Sequence, residues 1–564
     1  MNETSIQPTQ PDPRIGPRMG RRTMLAAGTA VPGTAIALGL ADPAQAAGSS
    51  YFRHGVASGD PLPTAVVLWT RVTPTAGATP GSGRGLDVRV TWQVATDRRF
   101  RHVVRSGTLR TGAWRDHTVK VDARGLRPAR WYYYRFHANG HASPVGRTRT
   151  APATDSSPGH VRFGVVSCAN LQAGWFHAYR GLADRDDLHA IVHLGDYLYE
   201  YGPGEYGYGV DDIDVRTHRP AHEIVTLADY RQRHAQYKQD PDLRRLHARY
   251  AFIATWDDHE VANDAWSGGA ENHQPATEGS YAARKAAAHR AYDEWMPVRL
   301  SGTSALGDGT RIYRRLRFGT LLELSMLDLR TYRTEQGSQA TTGDPDATIT
   351  GTAQLDWLKA GLDHPVQWKI VGNPVMIAPV DFGTLPNDVV DAVGSVTGDV
   401  LPPDGLAYNV DQWDGYTADR KRLYAHLRDH QISDVVFITG DIHSGWACEL
   451  PVDPGSYPLD SDTVGVEYVC TSVTSNNLKD LTGSRALSPA VVAAIRLANP
   501  HVKYLDFDDH GYSILDVTSE RAQMDWYLTG DRATRNPGAP TWTRSFRTRA
   551  GTGRAVAVTT PVGV

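Results

Sequence analysis

The chain has 564 residues, of which 40% are hydrophobic, and a formal net charge of −3. That length predicts more than one domain, and the apolar share supports a buried core. The near-neutral balance excludes the basic footprint of a nucleic-acid-binding protein.

In chain order, the first expected element is an export signal. Gly20-Arg21-Arg22-Thr23-Met24-Leu25 sets paired arginines before the weakly apolar stretch Ala26–Leu40. Ala44-Gln45-Ala46 then supplies the small residues of a cleavage site. Residues 1–46 thus resemble a twin-arginine signal peptide, which predicts delivery by the twin-arginine export machinery to a secreted or wall-associated location. An anchoring helix is the alternative. No later apolar run approaches the roughly 20 residues that a membrane-spanning helix needs.

Residues 51–150 read as short strands between Gly and Pro turns, with Val66–Val72, Val88–Val94 and Trp131–Phe136 rich in β-formers. Leu126, Pro128 and Tyr132 match the signature in which a tyrosine closes the corner of a β-sandwich. An Ig/fibronectin-like all-β domain with a supporting role is expected here. A polar, Pro-bounded linker, Ala151–Gly159, follows.

From 159 to 530 the pattern changes. Apolar runs recur and end in polar residues: Ser167-Cys168-Ala169-Asn170, Gly195-Asp196-Tyr197-Leu198-Tyr199-Glu200, Asp257-Asp258-His259-Glu260, Asn373-Pro374 and Gly440-Asp441-Ile442-His443. Helical stretches such as Tyr281–Trp295 and Thr352–Gly361 lie between them. Buried strands alternating with helices predict an α/β fold with its site at the carboxyl ends of the strands. Residues 531–564, rich in Arg and Thr, read as a loosely ordered tail. Of the three cysteines, Cys448 and Cys470 lie in apolar β-like segments and read as buried thiols, with a disulfide between them as the alternative.

A hydrolytic two-metal centre needs a bridging carboxylate, separate ligands for each ion and a group to assist the leaving oxygen. One Gly-Asp at a strand end is ordinarily a turn or helix cap. Five polar strand ends in succession are a stronger signal. Gly-x-Ser-x-Gly is absent, which argues against a nucleophile-elbow hydrolase.

These motifs, with Phe52-x-His54-Gly55-Val56-Ala57-Ser58-Gly59-Asp60-Pro61 at the head of the β region, resemble the PhoD-like phosphatases of the metallophosphoesterase superfamily over about residues 51–527. The resemblance implies the metallophosphoesterase β-sandwich flanked by helices. It further implies a metal-dependent alkaline phosphatase that hydrolyses phosphate esters with water activated at a ferric iron–calcium pair. A phosphodiesterase or phospholipase-D-like activity with the same site is the alternative, and an exported non-catalytic binding protein a remote one. Asp196 is then the bridging carboxylate. Cys168, Tyr199 and His443 complete an iron set, a thiolate suiting iron better than calcium. Asp258, Asn373 and Asp441 offer oxygen to the second ion, which favours calcium. Asp257 and Asn263 would support the ligands from behind or cap a turn, and could also serve a further calcium. His259, oriented by Glu260, becomes the general acid or transition-state donor. Asn170, Arg330 and Arg333 are candidates for holding phosphate oxygens, a solvated arginine being the commoner reading of the last two. Packing roles are the alternatives for Cys168 and Tyr199, and a turn for Asn373. His510 is left without a role.

Overall fold

The apolar runs become the central strands of two sheets in a computed structural model, which describes residues 51–300, 311–383 and 406–563. The expected signal peptide lies outside the described residues. In the first sheet, Val161–Val166, Ala190–His193 and Ala251–Ala254 run parallel and adjacent. In the second, Leu322–Met326, Trp368–Asn373, Val435–Thr439 and Thr463–Val469 do the same. Every residue of Ala190–His193, Ala251–Ala254 and Val435–Thr439 is buried, as expected for parallel strands covered on both faces.

The sheets pack face to face through one core. Val165, Val192 and Ile253 from the first meet Leu324, Ile370 and Val436 from the second. Each such side chain contributes about 1.5–3 kcal/mol when removed from water. Helices cover the outer faces: Leu182, Tyr237 and Tyr292 pack on one side, Leu358, Leu423 and Leu427 on the other. The result is a helix–sheet–sheet–helix sandwich. Among the described residues, no helix is long and apolar enough to cross a membrane.

Two boundaries differ from expectation. Residues 51–150 do form a β-sandwich, and Tyr132 closes its corner by accepting the Arg127 backbone N–H at 2.8 Å. Val66 and Leu68 of one sheet share a core with Val90, Val94 and Tyr134 of the other. The sandwich is not a separate body, however. Its strand Val56–Leu62 pairs in parallel with Ala251–Ala254, so one of its sheets continues the large sheet without a break. Residues 531–563, the described part of the expected tail, are not loose either. Thr541–Arg549 pairs along its length with Arg521–Leu528, and Val556–Val558 adds the edge strand of a sheet of ten. All three cysteines are buried free thiols.

Candidate metal centre

Cys168 follows Val161–Val166, Asp196 follows Ala190–His193, and Asp257, Asp258 and His259 follow Ala251–Ala254. Asp441 and His443 follow Val435–Thr439 in the facing sheet. Parallel pairing therefore delivers all of them to one edge of the sandwich. There the backbone turns abruptly: Cys168, Asp196, Asp441 and His443 adopt φ of 59°, 54°, 64° and 52°. Residues with a Cβ rarely occupy this left-handed region and stay there only where their surroundings enforce it. Two glycines let the turns close on each other. A Cβ on Gly195, at φ +108°, would lie 2.5 Å from Asp257 Cβ, and one on Gly440 would lie 2.2 Å from Ser167 Oγ. The Gly in each Gly-Asp pair is thus required by the neighbouring strand end.

The donor atoms converge in three overlapping groups. Those of Cys168, Asp196 and His443 all lie within 4.8 Å of one another, as do those of Asp196, Asp258 and His259, and those of Asp257, Asp258 and Asp441. Asp196 joins the first two groups and Asp258 the last two. The Tyr199 hydroxyl donates to Asp196 Oδ2 at 2.8 Å, accepts from Ser475 Oγ at 2.5 Å and lies 3.4 Å from His443 Nε2. His443 Nδ1 donates to the Asn476 carbonyl at 2.8 Å, which leaves Nε2 as a bare lone pair. Burial holds that imidazole's pKa down to about 3, so it stays neutral. A histidine oriented through its far nitrogen by a carbonyl is prepared for a cation.

The electrostatics fit cations. Asp196 Oδ1, Asp257 Oδ2 and Asp258 Oδ1 are buried without a hydrogen-bond partner. Burial, and then the mutual repulsion of the carboxylates, pushes the Asp196 pKa well above the ordinary range. Burial raises Asp257 to about 8 and Asp441 to about 6, with Arg330 opposing in both. Buried anions need paired charge. One arginine and one histidine do not balance this many carboxylates. A donor set of thiol, phenol, imidazole and carboxylate at one end and carboxylates alone at the other suits two unlike ions.

The structure redirects several expected residues. His259 is oriented by Glu200, not by Glu260: its Nδ1–H donates to Glu200 Oε2 at 2.7 Å. The other Glu200 oxygen accepts from Asn263 N at 2.7 Å and Asn272 Nδ2 at 3.0 Å. Glu260 turns back to accept the backbone N–H groups of Asp196 (3.1 Å), Tyr197 (2.6 Å) and Asp257 (2.9 Å), tying two strand ends together. Asn373 has both ends of its amide engaged elsewhere. Its amide oxygen accepts from Trp413 Nε1 at 3.2 Å, and its nitrogen donates to the Val375 carbonyl at 2.5 Å. Asn170 is likewise engaged, donating to Tyr206 O of a later loop at 2.8 Å and accepting from Gln172 N at 3.0 Å.

Neither arginine is solvated. Arg330 lies inside the acidic group, its Nε on Asp257 at 2.5 Å and its Nη1 on Asp411 at 2.8 Å, with Asp441 at 3.4 Å and Asp258 at 3.7 Å. Arg333 holds Asp411 at 2.5 Å and does not line the cavity. Asp411 carried no signal in the sequence, because the strand before it, Leu406–Ala407, is only two residues long and leaves no apolar run to read. His510 bonds Ser472, Asp480 and Arg532 behind the His443 loop.

Asp196, Asp258, His259, Asp441 and His443 open into one cavity of about 470 Å³, with Tyr201 and Tyr206 on its wall. The model of the PhoD-like phosphatases matches residues 163–526, and that of their N-terminal domain matches 37–152. The chain belongs to the PhoD-like phosphatase family. It is therefore a phosphoric ester hydrolase. It is 37% identical over 490 residues to alkaline phosphatase D of Bacillus subtilis, covering 85% of this chain and 78% of that one. A solved structure of PhoD superposes with a TM-score of 0.79 at 35% identity, covering 91% of this chain and 94% of the other. The sandwich with its β-rich amino-terminal part is thus the PhoD fold.

Proposed function

We propose that this PhoD-like chain is an exported alkaline phosphatase working with a ferric iron and calcium. Asp196 would bridge, Cys168, Tyr199 and His443 would hold iron, and Asp258 and Asp441 would hold calcium. The observation that carries this reading is the asymmetry about Asp196: thiol, phenol and imidazole on one side, carboxylates alone on the other. Such ions, when bound, polarise a phosphoryl oxygen and lower the pKa of water.

The side chains do the rest. His259 is buried, yet Asp258, Glu200 and Asp196 outweigh the burial and raise its pKa well above the ordinary value. With cations on Asp258 and Asp196, Glu200 is the anion left to favour the protonated ring, and it fixes Nδ1 while Nε2 is left for the cavity. From there His259 donates a proton to the departing alkoxide. Arg330 holds Asp257, Asp258, Asp411 and Asp441 in place rather than clamping phosphate, and Arg333 anchors Asp411.

One feature favours a diester reading. Leu478, Leu481 and Tyr408 line the cavity mouth, and Val210 and Ile213, each more than half exposed, stand on the turn bonded to Asn476. An apolar rim suits an ester with an apolar second substituent. Turnover of a nitrophenyl monoester, a bis-nitrophenyl diester and phosphatidylcholine separates the two. A kcat/KM greatest for the monoester is expected. Inactivity of metal-loaded protein toward all three would sink the proposal.

A further inference from the structure

A second cavity, about 670 Å³, opens at the opposite edge of the same sheet. Gly55 and Val56, at the start of Val56–Leu62, form one side of it, and the helix Pro241–Arg249 forms another. That helix enters Ala251–Ala254 at its amino end, whereas the metal candidates follow its carboxyl end. Four strand residues, about 13 Å, therefore separate the two edges.

Five arginines line this cavity, Arg98, Arg147, Arg244, Arg245 and Arg249, against one carboxylate, Asp186. The Asp186 side chain is 80% exposed, so its contacts with Arg147, at 3.7 Å, and with Arg249 are screened by water. Arg245 also pairs with Asp184 at 2.6 Å. Arg147 is held flat, its guanidinium carbon 4.2 Å from the Trp131 ring centre and 5.3 Å from that of Tyr250. Its Nε and Nη2 are buried without any hydrogen-bond partner, and so is Arg249 Nε. Five guanidiniums against one screened carboxylate give the cavity excess positive charge, and Arg147, stacked on Trp131 and Tyr250, is one pre-oriented member of the set; such a lining suits the oxygens of a phosphate group. The lining has neither histidine nor cysteine, and its one carboxylate is paired with Arg147 and Arg249.

We propose that this cavity is a non-catalytic phosphate-binding site, remote from the metal centre. Two sources present the same chemistry: free inorganic phosphate, and a phosphate group within a longer polyanion. Calorimetric titration of the metal-loaded full chain with inorganic phosphate and with a short, non-hydrolysable oligophosphonate tests it. The comparison variants are R147Q and the double variant R98Q/R244Q, which alters side chains at the cavity rim.

Wild type is expected to show a site beyond the catalytic one. Both variants should bind there at least tenfold more weakly while turning over a nitrophenyl ester at the wild-type rate. Comparable affinity for the two ligands assigns the site to free phosphate; tenfold tighter oligophosphonate binding assigns it to a chain. If R147Q does not fold, R98Q/R244Q decides. A single site per chain, or a second site unchanged in the variants, overturns the proposal. Because binding is read directly, this failure is distinct from failure of the catalytic reading.

Discussion

His259 donates its Nδ1–H to Glu200 Oε2 across 2.7 Å, although the two residues stand 59 positions apart. The carboxylate fixes the tautomer and favours the charged imidazole. In Glu200→Gln the burial penalty is opposed by less negative charge, so the His259 pKa falls. Activity that needs protonated His259 should then be lost at lower pH. The alkaline limb of kcat is expected to shift toward neutrality with KM nearly unchanged, whereas His259→Asn should lower kcat by about 10²–10⁴. An unmoved limb in the Gln variant would separate Glu200 from the proton donor.

Gly195 makes a different demand. A methyl there meets Asp257 at 2.5 Å and strains a φ of +108°. Gly195→Ala should cost upward of about 1 kcal/mol and lower the bound metal, since both strand ends must part. Thermal unfolding and metal content, measured together, check this.

Arg330 is the buried cation among four aspartates. Arg330→Gln leaves those carboxylates without it, at a cost of roughly 3–5 kcal/mol in metal-stripped protein. Bound cations should restore part of the loss. Chemical denaturation with and without metal measures both numbers.

Metal removal should also steepen the pH response. In the stripped protein, burial raises Asp441 to about 6 and Asp257 to about 8, above their unfolded values near 3.9. A raised carboxylate pKa stabilises the fold fully below the unfolded value and loses that contribution as pH rises through the folded one. The Tm of stripped protein should therefore fall between about pH 5 and 8, more steeply than that of loaded protein. Adding metal back in weak buffer near pH 6 should release protons. Parallel melting curves, or no proton release, would contradict it.

The strands and their polar ends were legible because burial on both faces writes itself as unbroken Val, Ile and Ala runs. The Gly-Asp pairs were legible because close approach of neighbouring turns excludes a Cβ. Glu200 and Glu260 were exchanged because adjacency in sequence favours Glu260, whereas the turn after Asp258 aims it at three backbone N–H groups. Asn373 sits at a strand end like the candidate ligands, but Trp413, 40 positions away, donates to its oxygen. The carboxyl-terminal strands were hidden by composition: Thr541–Arg549 buries Ser545, Phe546 and Thr548, and a polar strand covered by a long-range partner reads locally as a tail.

The central claim is that Cys168, Asp196, Tyr199 and His443 grip one ion while Asp258 and Asp441 hold a different one. Anomalous diffraction from crystals of the purified protein, collected on either side of the iron absorption edge, tests it most directly. The account predicts an iron peak bonded to Cys168 Sγ, Tyr199 Oη, His443 Nε2 and an Asp196 oxygen, with a neighbouring non-iron peak among oxygens. A single peak elsewhere, or zinc or magnesium in a fully active enzyme, would contradict it.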